Sequence, residues 1–412
     1  MNILFATLVD VNSLDERGIY QDLMREITHL GHKVYIVSPV EKRLNRATEF
    51  FSFDFGGILK VRTGNTQKTG KIEKGISTLL LESQYVRAVS KHFYDIKFDL
   101  IIYSTPPVTL VKLAAFIKKR DGAASYLLLK DIFPQNALDL NMLSRSSMLY
   151  RFFRKKEKKL YSISDYIGCM SPANVKYLLK HNSEIDKSKA HVCPNSIAPQ
   201  TLKENPDKTA IREKHGIPAD SKVFVYGGNL GKPQCVPFIA ECLKLSRGKN
   251  DRFFLICGEG ADAEVLRDYI TQNNPSNVKY LELLPKEQYD ELLCACDIGL
   301  IFLDYRFTIP NFPSRLLSYM EQGIPVLACT DANTDVGTAV IDGRFGWWCI
   351  SDNSKYFSLI SDDICKLDNE ALQEMGARGR KYLEENYLAS QAAKTIMDCA
   401  GAMENGKWKM EN

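Results

Sequence analysis

What most constrains this chain is a repeated alternation of short apolar runs with helix-compatible ones. In the first half the runs 3–7, 34–37, 100–103, 126–129, 166–170 and 190–193 are strand-length and rich in Ile, Val, Leu and Tyr. Between them lie 20–30, 76–92, 108–119, 148–162 and 174–180, whose apolar residues recur at helical spacing. The pattern then begins again, with strands at 223–226, 253–257, 278–281, 298–302 and 326–328 and helices at 236–246, 263–272, 286–294 and 314–322. Buried strands alternating with helices predict parallel sheets joined by right-handed crossovers. Two such series, on a chain of 412 residues, predict an α/β protein of two doubly wound, Rossmann-like domains. The polar stretch 198–208, with Pro199 and Pro206, is the expected linker. The domains are thus expected at 1–197 and 208–387, with the last helix, 388–412, returning to the first. Ligands of such sheets bind at the carboxyl ends of strands, so a cleft between two facing domains is the expected site.

Composition excludes several classes. The chain is 45% hydrophobic and 25% charged, and no apolar run reaches the length of a membrane helix, so a globular protein is expected. Its opening, MNILFATLVDVNSLDE, reads as a first strand and not a signal peptide. Eleven scattered cysteines argue against a disulfide framework, and Cys294 and Cys296 are too close together for a zinc site without a partner pair. Reduced thiols in a cytoplasmic protein fit best. A net charge of +4 is too small to suggest a nucleic-acid binder. The charge is nevertheless concentrated. RFFRKKEKK at 151–159 carries six basic residues, follows the apolar Met148, Leu149 and Tyr150, and is joined by Lys118, Lys119 and Arg120 upstream. Phe152, Phe153, Leu160 and Ile163 recur at helical spacing, so helix 148–162 is a basic amphipathic one. It either rests on an anionic membrane surface or is the solvated face of a core-packed helix.

Five loops at predicted strand ends carry residues suited to chemistry. The segment 306–328, RFTIPNFPSRLLSYMEQGIPVLA, passes from a proline-punctuated loop (Pro310, Asn311, Phe312, Pro313) into a helix that Ser314 is expected to cap. Unpaired N–H groups at a helix start, with Arg315 beside them, suit a phosphate or diphosphate, although a capped helix with a surface arginine gives the same pattern. The loop 15–20 places Gly18 before the first long helix, where the missing Cβ allows a ligand close approach. YGGNLGKPQ at 226–234 combines three glycines with Lys232, and CGEG at 257–260 is a tight turn holding Glu259. KDIFPQ at 130–135 ends a strand with Lys130 and Asp131. No loop has the full glycine fingerprint of a dinucleotide site, which makes an NAD-dependent oxidoreductase a weak reading.

Taken in order, these loops resemble glycosyltransferase family 4, the GT-B enzymes, over nearly the whole chain. The first strand, Gly18 and the helix ending in Gly31-His32-Lys33-Val34 look like that family's opening. Cys193-Pro194-Asn195 resembles its turn before the linker, and Ala295-Cys296-Asp297 its entry to a late strand. LKDIFPQNALDL (129–140) and FPSRLLSYM (312–320) are similar to bacterial members that build capsule, O-antigen or exopolysaccharide repeats. The resemblance implies a retaining hexosyl or N-acetylhexosaminyl transfer from a nucleoside-diphosphate sugar, with UDP as the nucleotide, to a polyprenyl-linked acceptor. It implies donor contacts from Gly18, Asn229, Gly231, Lys232, Glu259, Asn311, Phe312, Pro313, Ser314, Arg315, Ser318 and Glu321.

One departure stands out. The family's donor helix usually carries two glutamates eight positions apart, and here Pro310 and Ser318 occupy those places. Ser318 offers one hydrogen bond where a carboxylate would offer two charged acceptors, and Glu321, three residues on, is expected to take part of that role. Lys232 stands for the lysine that ends the phosphate loop, and Asn229 replaces its arginine. A diphosphate held by Arg315, Lys232 and a helix start needs no metal, so neither metal nor cofactor is expected. Asp131 is the expected group to orient or deprotonate the acceptor hydroxyl, with Lys130 and Gln135 as further candidates. Two alternatives remain: a non-catalytic relative supporting a partner enzyme, and a nucleotide-sugar 2-epimerase, for which the loops lack a catalytic histidine.

Overall fold

A computed structural model describes residues 1–65, 69–201 and 207–404. It divides into two compact units: Met1–Ala198 with Leu388–Asn412, and Pro199–Tyr387. Parts of the expected linker 198–208, of the loop region 44–70 and of the last helix 388–412 lie outside the described residues.

The first unit is built on an eight-stranded sheet. Its strands are β1 (Asn2–Ala6), β2 (Lys33–Glu41), β3 (Glu49–Phe53), β4 (Gly56–Thr63), β5 (Leu100–Ser104), β6 (Ala124–Leu129), β7 (Tyr166–Cys169) and β8 (Ala190–Val192). They lie in the order β3-β4-β2-β1-β5-β6-β7-β8, and only β3 runs antiparallel to its neighbour. Strands β1, β5 and β6 are buried almost end to end, which is why they read as continuous apolar runs rather than alternating ones. The order reverses between β1 and β5, and crevices for ligands open at such reversals, beyond the carboxyl ends of the strands. Ala392, Ala393, Ile396 and Cys399 of the last helix share a core with Leu23, Met24 and Ile27 of the first helix. Leu388 bridges Ile197 where the chain re-enters this unit.

The second unit has a six-stranded, wholly parallel sheet: β9 (Lys222–Gly227), β10 (Arg252–Cys257), β11 (Val278–Leu281), β12 (Ile298–Phe302), β13 (Val326–Thr330) and β14 (Gly346–Ile350). Its order, β11-β10-β9-β12-β13-β14, reverses between β9 and β12. One face packs through the rings of Phe224, Phe254, Phe302 and Phe357.

Three sequence expectations need correction. Region 44–70 shows no clear periodicity in the sequence, yet it contains β3 and β4. Strand β4 is buried on both faces, so it lacks alternation, and Lys60 interrupts its apolar run while lying buried against Asp10 and Ser38. Helix 148–162 forms as Met148–Ile163, capped by Ser147, but Phe152 is exposed while Phe153 packs on Phe133 at 4.9 Å. Beyond residue 328 the sequence pattern names no element before the last helix. There the structure adds β14 and the helices Val336–Asp342, Ser354–Cys365 and Asn369–Asn386.

Candidate active site

In the second unit, two glycine turns close against each other at the carboxyl ends of β9 and β10. Gly228 N–H donates to Cys257 O at 2.9 Å, Leu230 N–H to Glu259 O at 2.8 Å, and Asp262 N–H to Leu230 O at 3.0 Å. A Cβ at position 258 would collide with the carbonyl of Gly228, and one at 260 with that of Leu230. Close approach of two backbones therefore dictates glycine at both places. Glu259 is half-buried on this turn. Asn229 donates to Gln234 Oε1 at 2.9 Å, and Gly231 N–H reaches the same oxygen at 3.3 Å, so Asn229 holds the turn's shape. Lys232 is exposed, and its ammonium lies 3.8 Å from Asp262, a loose pair.

Arg315 comes to this turn from the far side of the sheet reversal. Its guanidinium stacks on the Tyr226 ring, 4.3 Å from the centroid, and a Cβ on Gly228 would sit 3.1 Å from Nη2. Gly228 has φ +128, so a side chain there is excluded on backbone grounds as well. Nη1 of Arg315 and the hydroxyl of Tyr289 are both buried without a hydrogen-bond partner among the described residues. A buried donor without a partner is costly, and it marks a place where a polar ligand or water would complete the set. Gly227 is needed here because a Cβ would meet the Tyr289 ring. At the end of β12, the fully buried Asp304 holds Arg306 through two contacts of 2.8 and 2.6 Å, and its N–H donates to Pro233 O at 2.8 Å. That tie fixes the Lys232 turn.

The helix after this loop differs from the sequence expectation. It spans Arg315–Glu321, and Ser314 has φ −64 and ψ −18 with no side-chain cap. A capping residue needs extended backbone to turn its oxygen back on the helix, and a helical Ser314 cannot do so. Phe312 is buried against Tyr387, ring centroids 5.7 Å apart, so it serves packing. Asn311 is half-buried, and its carbonyl accepts from the Thr334 hydroxyl. Pro313 is half-buried and Ser314 exposed. Ser318 is half-buried one turn past Arg315. Glu321 is 2% exposed, and its Oε1 accepts from Gln200 N–H at 2.9 Å, which binds its carboxylate to the start of this unit instead of presenting it outward.

In the first unit the residues after β6 are organised by Thr105, which sequence reasoning missed. Its hydroxyl accepts from the N–H groups of Lys130 (3.0 Å) and Asp131 (3.1 Å) and donates to Asp131 O at 3.0 Å. Lys130 Nζ reaches Cys193 O at 3.3 Å, and burial lowers its ammonium to about 8. Burial likewise raises the Asp131 carboxyl to about 6, although Asn136 donates to it at 2.7 Å. A carboxylate brought towards neutrality by desolvation is suited to accepting a proton. Gln135 donates to Asp139 at 2.7 Å and accepts from Tyr150 at 3.4 Å, which ties two helices together. Gly18 has extended backbone, and the space a Cβ would take is filled by the Gln21 side chain rather than left open for a ligand. His191 belongs to the core: it bonds Tyr126 at 2.6 Å, and burial lowers it to about 4.

Sequence signals for the missed residues are thin. Thr105 and Tyr289 are ordinary residues of their elements, and only tertiary packing brings them to Lys130 and Arg315. Asp304-Tyr305-Arg306 does carry one, since an acid and an arginine two apart after a strand can pair.

Residues 207–382 match the family model described as glycosyl transferases group 1. The probable glycosyltransferase WbjE of Pseudomonas aeruginosa is 24% identical over 293 residues, 70% of this chain and 71% of that protein. Sucrose-phosphate synthase from Thermosynechococcus elongatus superposes over 98% of this chain and 100% of its own, with a TM-score of 0.73 and 14% identity. HepE of Anabaena, solved in complex with UDP-glucose, does so over 98% and 100%, with a TM-score of 0.69 and 15% identity. The chain has the GT-B fold, and the family match together with the Pseudomonas relative supports a glycosyltransferase.

Proposed function

We propose that this chain is a retaining, metal-independent transferase of family 4 that moves a sugar from a UDP-sugar to a hydroxyl of a polyprenyl-linked glycan in bacterial surface-polysaccharide synthesis. The observation that carries the donor reading is Arg315, stacked on Tyr226 against the Gly227–Gly228 turn with a buried, unpartnered Nη1. A fixed, planar cation with an unpartnered donor matches a diphosphate leaving group. UDP as the nucleotide is supported by the UDP-glucose complex of HepE. In the step proposed, the bond from the anomeric carbon to the diphosphate breaks with its electron pair on the diphosphate. A bond to the acceptor oxygen forms on the same face, and the hydroxyl proton passes to Asp131. The acceptor is assigned from the resemblance of segment 129–140, and a lipid-linked acceptor gives the basic helix Met148–Ile163 a role at an anionic membrane.

Thermal unfolding against a panel of nucleoside diphosphates and their sugars tests the donor reading, because a ligand of the folded state raises its stability. A shift with UDP that Arg315→Ala abolishes is expected. No shift with any nucleotide would sink the reading. Pro310 and Ser318 at the family's glutamate positions favour a second reading, a non-catalytic relative. UDP release dependent on acceptor lipid excludes it.

A further inference from the structure

We propose that a second helix, Lys71–His92, joins the basic helix Met148–Ile163 in one membrane-inserting face, and that its occupant is an anionic bilayer. The proposal rests on the lipid-acceptor reading above and extends it to residues outside the basic helix. Ile76, Leu79 and Leu80 of the first helix and Met148, Leu149 and Phe152 of the second are between 41% and 86% exposed. Six large apolar side chains on two helix ends make more than the scattered exposure usual on a soluble surface.

Topology brings the two ends to the same place. The connections β4 to β5, β5 to β6 and β6 to β7 all step the same way along the sheet. Right-handed crossovers then put helices Lys71–His92, Val111–Asp121 and Met148–Ile163 on one side, each starting from the carboxyl ends of the strands. Glu82 bolts them together: its buried carboxylate accepts from Lys112 N–H at 2.8 Å and from Lys156 Nζ at 2.8 Å. Leu79 lies three residues before Glu82, and Phe152 four before Lys156, so both apolar ends project about one turn beyond this tie.

Charge selects the occupant. Arg151, Lys155 and Lys159 are exposed beside the apolar residues and make no ion pair among the described residues. Glu73, an exposed acid near the start of the first helix, is engaged by Asn65 and Thr69. Pairing two copies through this face would bring like charges together about the two-fold axis. An anionic lipid surface instead accepts the apolar side chains and neutralises the cations.

Flotation of the full chain with vesicles of phosphatidylethanolamine and phosphatidylglycerol, against phosphatidylcholine alone, tests this face. The wild type is expected to float only with the anionic vesicles. The triple variant Ile76→Ser, Leu79→Ser, Leu80→Ser should bind at least tenfold less and keep its salt sensitivity. The variant Arg151→Gln, Lys155→Gln, Lys159→Gln should lose both binding and salt sensitivity. Each should retain the wild-type unfolding midpoint and UDP shift. Wild-type binding by the serine variant would remove helix Lys71–His92 from the face. Absence of flotation by the wild type, or a dimer in sedimentation velocity that the serine variant dissolves, would overturn the membrane assignment. Flotation without any nucleotide shift would instead sink the transferase reading and leave the face standing.

Discussion

The carboxyl ends of the two sheets of this protein are built on one plan and furnished in opposite ways. In the second unit, at the ends of β9 and β10, glycines let two backbones lock together, and the group presented is a permanent cation, Arg315, on an aromatic platform. In the first unit, beside β5 and β6, a threonine hydroxyl organises the turn, and the groups presented are a lysine and an aspartate that burial has moved towards neutrality. A fixed charge suits an anion that must be held whatever the pH. A titratable pair suits a proton that must move. In the function proposed above, the difference separates leaving-group binding from proton handling within one architecture.

The comparison can be broken most sharply at Asp131. Replacing it with Asn should lower turnover by about a thousandfold if it takes the acceptor proton, while nucleotide-induced thermal shifts stay unchanged. An effect on nucleotide binding instead would erase the division of labour. In the second unit, Arg315→Ala should reduce kcat/KM for the donor by roughly a hundredfold, and Arg315→Lys should recover little, since a lysine neither stacks on Tyr226 nor presents a planar fork.

The pH profile sharpens the contrast further. Because burial raises Asp131 to about 6, it is protonated below that value, and kcat/KM should fall about tenfold per unit below it. Asp131→Asn should remove this limb, and Arg315→Ala should leave it in place. The same shift has a stability consequence. A carboxyl raised in the folded state contributes stability at low pH that is lost as pH rises through about 6, so Asp131→Asn is expected to be no less stable than wild type at pH 7.

Two smaller effects complete the set. Gly258→Ala forces a Cβ into the Gly228 carbonyl and should cost about 2 kcal/mol in denaturant unfolding, whereas Gly122→Ala, at a helix end with open space around it, should cost less. Lys232→Ala should change donor KM by only a few-fold and weaken its salt dependence, because the ammonium is exposed and loosely paired.

By itself the sequence determined the architecture. Continuous apolar runs at strand length can be buried only in doubly covered parallel sheets, and glycines and prolines at their ends announce where the loops turn. Segments 226–234, 257–260 and 130–135 were therefore legible as loops at the carboxyl ends of strands. Where periodicity failed, a side chain in an unusual environment was the reason: the buried Lys60 hid β4, and the helical backbone of Ser314 ended its expected role as a cap. Tertiary structure alone decided which polar groups were available. Glu321 and Ser318 look equivalent along one helix, yet packing gives the Glu321 carboxylate to Gln200. Thr105, Tyr226 and Tyr289 have no local signal, because what they do depends on neighbours far away in sequence. Desolvation, which turns Lys130 and Asp131 from ordinary surface charges into titratable groups, is a property of surrounding volume, and no linear pattern encodes it.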